Sequence, residues 1–169
     1  MIKPSKINAV AKRRADENYE FRAFLKEHAE WDELDAQFLE LHNELFADYD
    51  CCKCSNCCRA YSVMLNDDDI EAISRHLGQS KQDFIKENLE KSDFDENAYK
   101  INKQPCIFLR DDGKCSIQEV KPEECKGFPF TDQPDRLGSM LSIIDFAEEC
   151  PVVFEILERL KEIYDFERD

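Results

Sequence analysis

Residues 51–58 read CCKCSNCC, so five of eight consecutive positions are cysteine. The spacing is C-x-x-C-x-x-C-C, formed by Cys51, Cys54, Cys57 and Cys58, with Cys52 as an additional thiol inside the first interval. Thiolates at three-residue intervals on a short loop can converge on one soft metal ion, whereas a disulfide requires apposed Cα atoms and suitably directed Cβ vectors. The segment therefore predicts a metal–thiolate protein.

Four further cysteines follow the loop, at Cys106, Cys115, Cys125 and Cys150. Ferredoxin-type cluster loops combine a C-x-x-C-x-x-C triplet with another cysteine that precedes a proline. The Cys-Pro pair of this chain is Cys150-Pro151, where a helix N-terminus would stabilise a thiolate. We therefore predict one centre held by Cys51, Cys54, Cys57 and Cys150, and a candidate second site formed by Cys58, Cys106, Cys115 and Cys125.

The spacing favours an iron–sulfur cluster of the [4Fe–4S] type over zinc. Zinc remains the alternative because four thiolates in a tetrahedron suit it well. Catalytic dithiol chemistry is disfavoured, since no βαβ pattern surrounds the C-x-x-C elements. The three histidines, His28, His42 and His76, fall on predicted helices away from the cysteines, so packing or surface roles are expected for them. No catalytic residue can be assigned from the sequence.

Composition limits the function classes. The chain has 169 residues, nine cysteines and a net charge of −15. Such a surface repels phosphate backbones, which argues against nucleic-acid binding. No stretch approaches the roughly 18 apolar residues of a membrane span, and the N-terminus lacks the apolar run of a secretory signal. We therefore expect a cytoplasmic protein, where this many cysteines indicates metal or redox chemistry rather than disulfides. A protein partner is allowed but not identified.

Helical patterns dominate the chain. Apolar residues recur at three-to-four spacing from Asp16 to about Phe46, which predicts a long amphipathic helix with a kink or break near Trp31. Asn66 followed by three aspartates predicts a helix N-terminus, and Gly78 its C-terminal end. Further helices are expected after Ser80 and from Pro151 onwards.

The β-structure is expected to be small. Apolar residues on either side of Asp111-Asp112-Gly113 predict a hairpin with Cys106 and Cys115 on its arms. Pro122 predicts a short helical turn that leads to Cys125, and the apolar run 140–144 resembles a strand. The expected fold is α+β: one mainly helical domain with a small β-hairpin and loops organised around a cysteine metal centre. We divide it into a basic tail with a long helix, 1–50, and a cysteine-cluster domain with a C-terminal helix, 51–169.

The downstream pattern resembles a known family, the CxxCxxCC cysteine-cluster proteins. The matching pieces cover about Cys51 to Pro151 and include all eight family cysteines: the loop 51–59, LNDDDI at 65–70 with HLG at 76–78, PCIFL at 105–109, CSI at 115–117, KPEEC at 121–125, FPF at 128–130 and Cys150-Pro151. Cys52 is additional, and Lys121 and Lys126 stand where the family more often has arginine.

The resemblance implies chelation of zinc or iron by Cys51, Cys54, Cys57, Cys58, Cys106, Cys115, Cys125 and Cys150. We expect a metal-binding protein whose cysteine-ligated centre has a structural or redox-sensing role. The alternative is a cluster-dependent protein-modifying enzyme, because flagellin lysine N-methylases carry a similar cysteine cluster in a longer chain. No residue here can be assigned to binding a methyl donor or a lysine, so enzymatic activity is left undecided.

Overall fold

The computed structural model describes residues 1–93, 95 and 97–167. In chain order the elements are α1 (Pro4–His28), α2 (Trp31–Phe46), α3 (Cys51–Cys54), α4 (Asn56–Ala60), β1 (Met64–Leu65), α5 (Asp67–Leu77), α6 (Lys81–Asn88), β2 (Leu89–Lys91), β3 (Tyr99–Ile101), a 3-10 helix (Gln118–Val120), α7 (Glu123–Gly127), α8 (Met140–Phe146) and α9 (Pro151–Ile163). The mainly helical α+β fold is confirmed.

Contacts divide the chain into two compact units. The first contains residues 1–50 together with the chain from Pro129 onwards, and the second contains residues 51–128. The sequence-based division into 1–50 and 51–169 stays a prediction, because contacts within one chain do not show which segments fold independently.

The first unit is helical, with α9 in contact with α1, α2 and α8. The predicted long helix is broken between His28 and Trp31, where Ala29 and Glu30 adopt extended conformations. Helix α1 begins at Pro4 rather than near Asp16, since the fixed φ and missing N–H of proline suit the first helical position. Ile7, Ala11, Phe21 and Leu25 are buried along α1.

The run 140–144 forms helix α8, so the strand prediction there is wrong. Met140, Ile143 and Ile144 are buried while Leu141 is 48% exposed, which is the spacing of a helix face. Hydrophobic periodicity cannot distinguish a helix from a strand in so short an apolar run. Here the packing of the run against α1 and α9 favours the helix.

The second unit contains a three-stranded antiparallel sheet in the order β1-β3-β2. Met64 pairs with Lys100, and Leu89 pairs with Ile101. Helices α5 and α6 complete a core that contains these buried apolar residues: Val63, Leu65, Ile70, Ile73, Phe84, Leu89, Ile101, Phe108 and Ile117. Three cysteines, Cys106, Cys115 and Cys125, pack against this core partly buried.

The predicted helix starts in this unit and the predicted end at Gly78 are confirmed, whereas the helix after Ser80, expected to reach about Lys91, ends at Asn88 because residues 89–91 pair with β3. Asn66 and Asp69 form a reciprocal capping box at the start of α5, and Gly78 ends that helix with φ +69°. Ser80 accepts a hydrogen bond from the Asp83 amide at the start of α6, and α7 begins directly after Pro122. These features depend on neighbouring residues only, which is why the sequence revealed them.

The predicted hairpin is realised as a turn without strands. Leu109 and Cys115 form an isolated antiparallel bridge, and the Gly113 amide donates to the Arg110 carbonyl at 3.0 Å. The sheet of this unit is built instead from β1, β2 and β3. The turn still places Cys106 and Cys115 near one another in the same part of the unit.

Candidate metal centre

The cysteine loop consists of two short helical turns that meet at Ser55. Ser55 adopts a left-handed conformation with φ 51°, and its amide donates to the Cys51 carbonyl at 2.7 Å. Its hydroxyl is buried and donates to the Cys52 carbonyl at 2.6 Å. The break at Ser55 separates the exposed cysteines of α3, Cys51 and Cys52, from the partly buried pair in α4.

The turn at residues 110–113 packs directly on this loop. A Cβ atom at Gly113 would lie 1.9 Å from the carbonyl oxygen of Cys52 and 2.8 Å from the hydroxyl oxygen of Ser55. Gly113 also has φ +80°, a conformation that other residues rarely adopt. Glycine is therefore required here for close backbone approach as well as for the turn.

Five cysteines from three separate segments line one pocket. Cys57 and Cys58 come from α4, Cys106 and Cys115 flank the turn, and Cys125 lies in α7. The cavity has a volume of about 60 Å³ and is lined otherwise mainly by apolar side chains of the unit's core. The Cys106 amide donates to the Cys58 carbonyl at 2.8 Å, which joins two of these segments directly.

The thiols in this pocket influence one another electrostatically. Burial raises the pKa of Cys106 and of Cys115, and negative charge on Cys58 raises both further. Burial also raises the pKa of Cys125 to about 12. A hydrogen bond from Cys57 lowers the pKa of Cys58 to about 6, against the effect of burial and assisted by the charges of Lys121 and Arg59. Only groups that lie near each other produce this mutual effect.

The eight predicted ligands therefore do not all lie in this pocket. The candidate second set, Cys58, Cys106, Cys115 and Cys125, shares one pocket, and Cys57 lines it as well. Cys51 is exposed and Cys54 half-buried, and neither lines that pocket. Cys150 is buried in the helical unit, directly before α9. The set of Cys51, Cys54, Cys57 and Cys150 stays a prediction.

As the side chains stand in the described residues, no three histidine, cysteine or carboxylate groups lie close enough together to hold one metal ion. Zinc–sulfur bonds are about 2.3 Å long, so ligation would require the thiols to turn further into the cavity. The donor set nevertheless fits zinc or iron, because four thiols in an apolar pocket are soft ligands of the kind both metals accept. A bound metal would supply the positive charge that deprotonates such thiols.

Two residues around the pocket were missed by sequence reasoning. The Glu124 carboxylate accepts hydrogen bonds from the Tyr61 hydroxyl and, at 2.8 Å, from the Met64 amide. The Tyr61 ring packs on Phe128 with the ring centroids 4.8 Å apart. These contacts join the end of the cysteine loop to α7. Their only sequence signal was proximity to Cys58 and Cys125, which does not distinguish them from exposed neighbours.

A known protein family matches the part of the chain that carries the cysteines. A family model, CxxCxxCC, described as "Putative zinc- or iron-chelating domain", matches residues 50–151. The chain belongs to the CxxCxxCC family. The resemblance inferred from the cysteine spacing is thereby confirmed, and all nine cysteines lie within the matched region. Neither a curated protein nor a solved structure matches the chain. Among the described residues, no helix has the length and apolar character needed to cross a membrane.

Proposed function

We propose that this CxxCxxCC protein binds a zinc or iron centre through the thiols of Cys58, Cys106, Cys115 and Cys125. The observation that supports this most strongly is the convergence of three distant segments on one thiol-lined pocket. The ligands would come from α4, from the two sides of the 110–113 turn and from α7. Nothing in the local sequence requires these three segments to meet. A metal ion bound by all three would explain why they converge.

The role we propose for the centre is structural. Cys106, Cys115 and Cys125 pack against the apolar core, in a region that has a single isolated bridge and short helices as regular structure. Metal binding across residues 58–125 would close long loops whose ordering otherwise costs entropy. The binding free energy would then contribute directly to folding of the unit.

A redox-sensing centre is the second form of this proposal. The C-x-x-C-x-x-C spacing of Cys51, Cys54 and Cys57 favours an iron–sulfur cluster, and the exposure of Cys51 would leave such a centre accessible. The pocket set alone suits zinc equally well. The enzymatic alternative stays a prediction without an assigned residue.

The test is anaerobic purification followed by elemental analysis, a visible spectrum and a sulfide assay. We expect zinc or iron in the wild-type protein and loss of that metal in Cys106→Ser and Cys125→Ser, with Cys52→Ser as the matched control that retains it. An iron–sulfur cluster would give visible absorption and acid-labile sulfide, whereas zinc would give neither. Metal content unchanged in both pocket variants would overturn the assignment of ligands.

A further inference from the structure

Lys121 occupies an unusual place beside the thiols. It lies between the 3-10 helix Gln118–Val120 and α7, and its half-buried side chain lines the pocket together with Cys58, Cys115 and Cys125. Among the described residues that line this pocket it carries the single positive charge, and none of them is a carboxylate. The rest of the lining is thiol, aromatic or aliphatic.

We propose that Lys121 is a charge-compensating residue that stabilises the thiolate-bound metal centre by offsetting part of its negative charge. The inference rests on the proposed function and adds a residue that is not itself a ligand. Four thiolates around one divalent ion leave a net charge of about −2. Placing that charge in an apolar pocket is costly unless a positive group lies nearby.

The charge of the whole protein makes such compensation more important. The chain carries −15 before any thiol is ionised, with 38 acidic and 23 basic residues. Additional negative charge therefore enters an already negative field. A cation in the pocket lining acts at short range, where an apolar surrounding screens it least.

Carboxylates do not compete for Lys121 in the part of the chain that the structure describes. Two other lysines of the same unit illustrate the contrast: Lys126 lies 2.5 Å from Glu123, and Lys100 lies 2.9 Å from Asp93. The described residues include no such ion pair for Lys121, which lines the same pocket as Cys58, Cys115 and Cys125. Its positive charge is therefore placed at the pocket that the proposed ligands share.

The experiment compares the zinc affinity of four full-length proteins, measured anaerobically at one pH by competition with a chromophoric chelator. The proteins are the wild type, Lys121→Met, Lys121→Arg and Lys126→Met. Lys121→Met keeps a similar side-chain length without the charge, and we expect it to weaken zinc binding about 10- to 100-fold, as for other residues that support metal ligands. Lys121→Arg restores the charge and should recover most of the loss. Lys126→Met is the matched control, because Lys126 is exposed and paired with Glu123, and its affinity should stay within a few-fold of wild type.

The outcomes separate this inference from the proposed function. Equal zinc affinity of Lys121→Met and wild type would overturn the role of Lys121 and leave metal binding intact. Weakened binding in Lys121→Met that Lys121→Arg fails to restore would also overturn it, since the effect would then come from packing rather than charge. Absence of specific zinc or iron binding by the wild-type protein would instead refute the proposed function.

Discussion

Glu124 accepts a hydrogen bond from the backbone amide of Met64 at 2.8 Å, and it accepts another from the Tyr61 hydroxyl. This carboxylate precedes Cys125, while Tyr61 follows Cys58 by three residues. One acidic side chain therefore joins the segments that carry two proposed ligands. These hydrogen bonds involve no thiol, so their contribution to the pocket can be tested separately from that of the ligands.

Glu124→Ala should destabilise the protein and weaken metal binding together. The substitution leaves the partly buried Met64 amide and Tyr61 hydroxyl without this acceptor, which costs about 1–3 kcal/mol. Glu123→Ala is the matched control, since Glu123 is exposed and forms an ion pair with Lys126. It should change stability by about 0.5 kcal/mol or less. Chemical denaturation with and without zinc measures both effects, and equal behaviour of the two variants would show that Glu124 does not organise the pocket.

Gly113→Ala should be much more destabilising than Gly78→Ala. Both glycines have positive φ, but a Cβ at Gly113 meets the Cys52 carbonyl at 1.9 Å, whereas a Cβ at Gly78 has no atom within 4 Å. We expect a cost of about 1 kcal/mol at Gly78 from backbone strain alone and more than about 2 kcal/mol at Gly113 from strain plus overlap. Thermal unfolding of the two variants provides the comparison. Similar losses in both would mean that the turn does not pack on the cysteine loop as described.

Serine substitutions of single cysteines should distinguish metal ligands from the other thiols. Cys52→Ser should retain the metal, because Cys52 is exposed and does not line the thiol pocket. Cys51→Ser and Cys150→Ser separate the two proposed ligand sets: loss of metal in these variants would support the set predicted from spacing, and retention would support the pocket set. Metal-to-protein ratios of purified variants decide between them. Loss of metal from Cys52→Ser would show that the loop coordinates in another register.

Removal of metal should loosen the second unit selectively. Helix α5 has its own capping box and buried face, so it should keep protected amides in the chelated protein. The segment around the thiols, from Cys106 to Phe128, has little regular structure and should exchange faster. Hydrogen exchange with and without chelator measures this. Unchanged protection between Cys106 and Phe128 would contradict a structural role and favour a functional one.

The stability of the protein at low pH should depend on an ion pair in the helical unit. Lys161, which is 6% exposed, donates to Glu17 at 2.8 Å. Burial alone would raise the pKa of Glu17, but hydrogen bonds from Lys161 and Arg14 outweigh it and hold that pKa below its usual value of 4.5. The pair therefore contributes stability that is complete above pH 4.5 and is lost as the pH falls through the lowered pKa.

Glu17→Gln should accordingly cost about 1–3 kcal/mol near neutral pH, and its difference from wild type should shrink below pH 4.5. Glu44→Gln serves as the control, because Glu44 is 55% exposed and its pair with Arg159 should contribute about 1 kcal/mol or less. Urea unfolding at several pH values checks both. If the loss in unfolding free energy caused by Glu17→Gln did not change with pH, the charge of the Glu17 carboxylate could not be the cause of that loss.

Local features account for most of what could be predicted. The ends of α5 at Asn66 and Gly78, the start of α6 at Ser80 and the start of α9 at Pro151 were all readable, because capping depends on residues within one turn. The cysteine spacing similarly identified the family. The strand expected at 140–144 was wrong because a five-residue apolar run has no period of its own that excludes a helix.

The sequence by itself determined the mainly helical character, the helix ends and the metal-binding class, since propensity, capping and thiol chemistry all act over a few residues. Tertiary structure alone decided which thiols share a pocket: Cys58 meets Cys106, Cys115 and Cys125 across as many as 67 positions, while the exposed Cys51, seven residues before Cys58, does not line it. It also decided that Lys121 lines this pocket and that Glu124 contacts Tyr61 and Met64. The physical reason is that burial and electrostatic proximity depend on how distant segments pack, and spacing along the chain does not encode that packing.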